Sequence, residues 1–281
     1  MQENRLETFY LYLQTLSIDI LLGACAGMLF FDRLIEAELN LIVYLLLGLA
    51  VWCIYTFDHL LDAKQIGKHA STLRHSFHQK FFNTLSISLV LVGSIGLILA
   101  LNLLKLIDII ILGLGMGTFI LLFFILLKLS PQKFVLLKEI SIATLYVGGI
   151  MLAPFFHNDL EEVPAYFWML GIAYVLVAWF NTIYLGILDN ETDQKDGLSS
   201  LALRIGVSRS RTILYVLLTI MLSYIISLYL LLNSFSYVHI TIILIIALIH
   251  SITFLKGSKD KDGARRKLDA SFMLPFLLLL V

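Results

Sequence analysis

The chain is poor in charge, in cysteine and in proline. Only 14% of its 281 residues are charged, against 59% that are hydrophobic, and it has 2 Cys and 4 Pro. Soluble domains carry about 25% charged residues, so a soluble fold with a greasy core is excluded as the simplest reading. Lys and Arg number 20 and so do Asp and Glu, giving no net charge. Without a basic excess there is no electrostatic case for nucleic acid as a partner. Cys25 and Cys53 both fall inside apolar runs, where they read as packing residues and not as a disulfide or a metal site. Met1–Thr8 mixes Glu3, Arg5 and Glu7, which is not the basic leader of a secretory signal, and the apolar stretch that follows is long enough to remain as a span.

What the chain has is apolar runs. The mean hydropathy is +0.92, and crossing the hydrocarbon of a bilayer takes about 20 apolar residues. Nine runs are expected as spans, at Tyr10–Phe31, Asn40–Phe57, Phe82–Leu103, Ile107–Leu127, Lys138–Phe155, Pro164–Leu188, Thr212–Leu232, Val238–Leu255 and Ala270–Val281. The last is short and holds Pro275, which is placed to kink it. With the N-terminus inside, alternation puts all but Arg33 and Lys105 of the 20 basic residues in inside segments, as the positive-inside rule requires. The expectation is an integral multi-pass protein of a bacterial inner membrane, surrounded by lipid, with its N-terminus cytoplasmic.

A weak repeat runs through these spans. The second ends in Asp58-His-Leu-Leu-Asp62 and the sixth in Asp189-Asn-Glu-Thr-Asp193, each followed by a polar, basic loop. The spacing predicts one polytopic domain over residues 1–281 with pseudo-repeats at about 10–128 and 138–255. In this reading an all-α membrane protein has nine transmembrane helices, arranged as two four-helix units plus a ninth around a central cavity. Both acidic motifs then lie on the cytoplasmic face.

A separation of four residues stacks Asp58 over Asp62, and Asp189 over Asp193, on one helix face. Asp196 joins the second face if the helix continues to it. Like charges so spaced destabilise a helix, and a helix C-terminus disfavours anions. Local electrostatics therefore argue against these acids as mere helix ends, although solvated acids at the headgroup boundary are the plain alternative. A divalent cation removes both penalties. Carboxylates suit Mg²⁺, which takes one or two of them and binds substrate phosphates, so two facing motifs can bridge a diphosphate. Lys128, Lys138 and Arg74 lie on the same side and are candidates to neutralise a departing diphosphate, or else mark topology only. Asp19, acidic within the first span, defaults to a functional hypothesis. Asn181 and Tyr184 lie one to two turns before Asp189 and are candidates to face the cavity. His59, His69, His75 and His78 cluster around the first motif; without repeated HxxHH boxes they read as ordinary interfacial histidines.

These residues resemble the UbiA superfamily of intramembrane prenyltransferases. Asp58 and Asp62 match the aspartates of its first motif, NxxxDxxxD, and Asp189 and Asp193 match its second, DxxxD. Asp196-Gly-Leu-Ser-Ser-Leu-Ala-Leu-Arg-Ile-Gly206 resembles the run after the second motif, and Phe124-Ile-Leu-Leu-Lys128 resembles its YxxxK. The resemblance implies nine helices, Mg²⁺ as cofactor, Asp58, Asp62, Asp189 and Asp193 as metal-holding catalytic residues, and Lys128 on the diphosphate. It implies transfer of an isoprenyl group from an isoprenyl diphosphate to a lipophilic or aromatic acceptor, such as a quinone precursor. Departures are specific. Ile54 replaces the motif asparagine, Phe124 replaces a tyrosine, and the first helix carries Asp19 where some members have an arginine for an acceptor carboxylate. A UbiA-type terpene cyclase, which ionises the same substrate, stays open beside transfer. A membrane transporter is disfavoured, because transporters place ionisable groups near the midplane on broken helices.

Overall fold

The structure, a computed structural model, describes residues 5–66, 69–103, 131–157, 163–257 and 260–280, and scattered helical positions between 111 and 125. All regular structure among the described residues is helical. Among the described residues, six helices are long and apolar enough to cross a membrane: Leu41–Gln65, Phe82–Asn102, Lys138–His157, Ala165–Leu188, Val207–Leu231 and Ser234–Lys256. The fourth expected run, Ile107–Leu127, lies mostly outside the described residues, as does Lys128.

In chain order the α-helices whose bounds lie within the described residues are α1 (Arg5–Thr15), α2 (Ile18–Ile35), α3 (Leu41–Gln65), α4 (Leu73–Lys80), α5 (Phe82–Leu103), α6 (Pro131–His157), α7 (Ala165–Leu188), α8 (Asn190–Asp196), α9 (Leu201–Ile205), α10 (Val207–Leu231), α11 (Tyr237–Lys256) and α12 (Lys261–Ser271). The centre of the bundle is α7, which packs on α6, α10 and α11, while α2 packs on α3 and α6. Half of the α7 span is buried, against 6% of the α5 span. The α5 helix therefore exposes Ile87, Val90, Leu91, Ile95 and Ile98, an apolar surface that lipid tolerates and water does not. Close approach of α2 to α6 and α7 depends on Gly27, where a Cβ would lie 2.6 Å from Ile150 Cδ1 and 3.1 Å from the Tyr174 hydroxyl.

Two expected spans differ in the structure. The run Tyr10–Phe31 is divided into α1 and α2 at Leu16–Ser17, where Ser17 takes a left-handed φ of 57°. The Thr15 hydroxyl donates back to the Leu11 carbonyl at 2.7 Å, a local alternative that weakens the continuing ladder. The run Ala270–Val281 forms no spanning α-helix. The α12 helix ends at Ser271 and a 3-10 turn, Leu274–Leu279, follows. Pro275 has no N–H to give and its ring crowds the carbonyl four residues earlier.

At the end away from the acidic motifs, the Asp32 carboxylate receives the Tyr44 hydroxyl at 2.5 Å and the Leu39 N–H at 3.1 Å. This closes the α2–α3 turn. At the other end α4 folds back under α3. Gln79 donates its amide to the carbonyls of Ala63 (3.3 Å) and Ile66 (2.9 Å), accepting α4 into the C-terminus of α3, where carbonyls lack helical partners.

Candidate diphosphate and metal site

The first acidic pair sits inside a helix. The α3 helix runs to Gln65, beyond the expected edge at Phe57, so Asp58 lies in its penultimate turn and Asp62 in its last. Asp62 Oδ2 faces His75 Nε2 of α4 at 3.9 Å.

The second pair straddles a joint. The α7 helix stops at Leu188, Asp189 takes φ −85° and ψ −4°, and α8 begins at Asn190. The Asp193 N–H still donates to the Asp189 carbonyl at 2.8 Å, so the chain keeps its turn and the two side chains stay on one side. Asp189 Oδ2 accepts from Nη2 of Arg265 on α12. Asp193 feels Asp189, Lys138, Arg265 and Asp62; burial first, and then the Asp189 charge, push its carboxyl up to about 7 from an ordinary 3.8. Lys138 donates from Nζ to the Ser199 carbonyl at 3.2 Å, in the loop after α8.

The two motifs converge. Arg74 on α4 interacts electrostatically with Asp62 of the first motif and with Asp189 of the second, and also with Arg265 and Asp269. Asp196, 6% exposed, accepts the Ser71 N–H on both oxygens at 2.9 and 3.2 Å. Its Oδ2 lies 3.6 Å from His75 Nδ1. Gln65 adds a hydrogen bond to the Gly197 carbonyl at 3.4 Å. The loop after the first motif is thus docked on the tail of the second. Burial and the Arg74 charge pull His75 down to about 4, so it is neutral at neutral pH.

Further in, Asp19 is 1% exposed. Its Oδ1 accepts the Ile20 N–H at 2.9 Å, and its buried Oδ2 has no hydrogen-bond partner among the described residues. Asp269 of α12 and Arg74 are the charges that act on it. Tyr55 is close enough to Asp269, Asp58 and Asp19 to feel their charge. The Phe272 ring lies 6.1 Å from Tyr146 and 6.0 Å from Tyr174, an aromatic wall.

Of the residues singled out from the sequence, Asp58, Asp62, Asp189, Asp193, Arg74 and Lys138 gather at this end, with Asp19 adjoining them. Asn181 is partly buried and its Oδ1 has no hydrogen-bond partner among the described residues. Tyr184 instead belongs to the α7–α11 seam, donating to the Thr253 carbonyl at 3.2 Å with its ring 5.4 Å from Phe254. His69 is exposed, whereas His59, His75 and His78 are buried because α4 folds under α3. Arg265 and Asp269 had not been singled out as site residues. Their only sequence signal is a basic cluster beside the last apolar run.

The model of the UbiA prenyltransferase family matches residues 132–276, more than half of the chain. No curated protein matches it. Among solved structures, a UbiA homologue from Archaeoglobus fulgidus bound to GPP and Mg²⁺ superposes with a TM-score of 0.67 at 16% identity, covering 96% of this chain and 99% of that one. The same homologue bound to DMAPP and Mg²⁺ gives 0.64 at 15%, with 96% and 99% covered. A structure described for digeranylgeranylglyceryl phosphate synthase in membranes gives 0.57 at 16%, with 97% and 96% covered. At such identities the superpositions speak for the fold, and the match along the second half of the sequence speaks for descent: this chain belongs to the UbiA prenyltransferase family.

Proposed function

We propose that this protein is a Mg²⁺-dependent integral-membrane prenyltransferase that moves an isoprenyl group from an isoprenyl diphosphate to an aromatic or quinone-precursor acceptor. The observation that carries the reading is the convergence of two acidic motifs, far apart in sequence, around Arg74 at one end of the bundle. The donor set fits the cation. Asp58, Asp62, Asp189 and Asp193 offer hard carboxylate oxygens of the kind Mg²⁺ takes together with substrate phosphates. Four acids crowded at one end, one of them pushed up to about 7, also form a cluster that added positive charge would relieve. The A. fulgidus homologue, bound to GPP or DMAPP with Mg²⁺, supports the same ligand chemistry.

In this reading the four aspartates would hold the metal, which when bound would supply Lewis-acid neutralisation of diphosphate charge. Arg74 and Lys138 complement the leaving diphosphate, with Lys128 as a further candidate. Arg74 is a fixed donor, because its loop is tied to Asp196 and its helix to the end of α3. The C–O bond breaks with its electron pair leaving on the diphosphate, and the allylic cation faces the interior. Tyr55, Tyr146 and Phe272 are the rings assigned in this reading to meet it, since aromatic faces suit an organic cation. The acceptor supplies the electron pair for the new bond and then loses a proton. Asp19, Asn181 and Tyr184 complete the proposed substrate-binding set. Tyr184 is the weakest member, since its hydroxyl is engaged by Thr253.

The wider arrangement proposed is one domain over residues 1–281, in which the expected runs form two four-helix units plus a ninth segment that is not a continuous α-helix but ends in the Leu274–Leu279 3-10 turn. The N-terminus and both motifs would face the cytoplasm of a bacterial cell, as the distribution of Lys and Arg favours. Cyclisation of the isoprenyl chain is a second reading, favoured by the acid at position 19 where an arginine would hold an acceptor carboxylate. Transport has little support. The chain breaks at Ser17 and Asp189 lie at the end that carries the acids and not in mid-span.

The test is diphosphate release by purified protein with Mg²⁺, a series of isoprenyl diphosphates and aromatic acceptors. Wild type releases diphosphate; Asp58→Ala and Asp189→Ala do not. The mass of the organic product separates transfer from cyclisation. Absence of release from any isoprenyl diphosphate would overturn the reading.

A further inference from the structure

Three residues beside the acidic motifs carry a donor set that Mg²⁺ does not need. His59 and Asp62 lie three residues apart on α3, so their side chains share a face one turn apart. Folding of α4 under α3 brings His75 against them. One ligand atom from each of His59, Asp62 and His75 lies within 4.8 Å of the other two. The His75 Nε2 to Asp62 Oδ2 distance is 3.9 Å. Ligand atoms around one tetrahedral zinc ion are about 3.5 Å apart, given metal–ligand bonds of about 2.0–2.2 Å. Binding one ion therefore requires the triangle to contract.

The surroundings complete the pattern. A metal-bound imidazole usually gives its second nitrogen to a carboxylate, which fixes its tautomer and ring plane. Here Nδ1 of His75 lies 3.6 Å from Asp196 Oδ2, just beyond hydrogen-bond length, leaving Nε2 toward Asp62. Asp196 is itself held, accepting the Ser71 N–H at 2.9 and 3.2 Å. His59 is 4% and His75 5% exposed, so the imidazoles are withdrawn from bulk water.

We infer that His59, Asp62 and His75 form a two-histidine, one-carboxylate site for a borderline divalent metal such as zinc, beside the diphosphate site and sharing Asp62 with it. Two imidazole nitrogens and one carboxylate oxygen select zinc, cobalt or nickel over magnesium, which prefers an all-oxygen shell. The sharing has a consequence that rests on the proposed function. A zinc ion here withdraws Asp62 from the first acidic motif and ties α3 to α4, and through Asp196 to α8. Its occupancy therefore opposes Mg²⁺-dependent turnover.

The binding test does not depend on that function. Full-length protein in detergent, stripped with a chelator, is titrated with Co²⁺ in excess Mg²⁺ and followed by its visible d–d absorption, with Zn²⁺ as displacing ion. Wild type is expected to bind one Co²⁺ and to release it to Zn²⁺. His59→Gln and His75→Gln weaken binding at least about tenfold, and Asp196→Asn about 10-fold to 100-fold. His69→Gln, exposed and outside the triad, binds as wild type. Elution and thermal unfolding establish which variants are folded, and the three substitutions on three different helices guard against loss of one. Absence of visible bands in the wild type would overturn the site, as would binding untouched in the folded His59→Gln and His75→Gln proteins. For the shared carboxylate, Zn²⁺ should raise the Mg²⁺ concentration needed for diphosphate release at least about fivefold in wild type and not in His75→Gln. An unshifted Mg²⁺ requirement with zinc bound would overturn the sharing. A protein that binds Co²⁺ yet cleaves no isoprenyl diphosphate would overturn the prenyltransferase reading and leave the metal site standing.

Discussion

Arg265 on α12 donates through Nη2 to Oδ2 of Asp189, at the joint between α7 and α8. The side chains are 13% and 31% exposed, so the pair is largely withdrawn from water and only weakly screened. It sets a cation from the last α-helix among the acids of the second motif. On the proposed function two roles follow for Arg265: it offsets like charge in the ligand-free site, and it is at hand for a diphosphate.

Arg265→Gln is therefore expected to move two quantities in opposite directions. The site becomes more negative, so half-saturating Mg²⁺ falls. The diphosphate loses a donor, so its KM rises about tenfold, which corresponds to about 1.4 kcal/mol. Arg265→Lys keeps the charge without the planar fork and recovers part of the loss. Steady-state rates over a grid of Mg²⁺ and isoprenyl diphosphate concentrations check this. Equal loss in every parameter would mean that Arg265 is structural only.

Asp193 predicts a pH dependence. Its carboxyl is pushed up to about 7 by burial and by Asp189, and a metal ligand must be deprotonated. Mg²⁺ affinity should then rise with pH to about 7 and level off above it. The stability of the metal-free protein has the opposite sense. Between pH 3.8 and about 7 the folded state holds a proton that the unfolded state has released, so stability is greatest at low pH and declines as pH rises through this window. Asp193→Asn should consequently unfold at a higher temperature than wild type at pH 8 without Mg²⁺, while losing activity. Thermal unfolding with and without Mg²⁺ measures both effects; a variant less stable than wild type at pH 8 would contradict the argument.

How much of this was legible in the sequence depended on whether a feature is local. The spans Phe82–Asn102 and Ala165–Leu188 follow from unbroken apolar runs, and the two DxxxD pairs follow from spacing alone. The break at Ser17 was not legible, because it rests on one left-handed residue inside an apolar run. Arg265 was hidden for another reason. Beside Lys261, Arg266 and Lys267 it reads as one more inside charge that sets topology. Only the path of α12 shows that Arg265 meets Asp189 whereas Arg266 lies 3.8 Å from Asp260 on its own segment. The burial of His59, His75 and His78 was hidden too, since nothing in their spacing says that α4 turns back under α3.

Gly27 tests the packing that positions the site. A side chain there would meet Ile150 and the Tyr174 hydroxyl in the part of the core where α2, α6 and α7 meet. Gly27→Leu is expected to cost about 1–3 kcal/mol, the usual range for overpacking a filled core, and to lower the unfolding temperature in detergent. An unchanged temperature would mean that α2 is free to shift.

Asp19 gives the sharpest separation between binding and chemistry. A buried carboxylate whose Oδ2 has no hydrogen-bond partner among the described residues costs free energy unless something else uses it. If its use is to accept a hydrogen bond from the acceptor substrate, Asp19→Asn removes the charge and keeps the shape. The variant should then be at least as stable as wild type, by about 1 kcal/mol or more, and should still ionise the isoprenyl diphosphate, because Arg74 and the four aspartates are untouched. Transfer should suffer instead: the ratio of prenylated acceptor to released diphosphate falls about tenfold, with water-quenched or cyclised chain making up the difference. Counting both products from one reaction mixture makes the measurement independent of how much enzyme is active. Were diphosphate release and acceptor prenylation to fall together, Asp19 would be acting on the ionising end, through Arg74 or Asp269, and the acceptor would have to be held elsewhere.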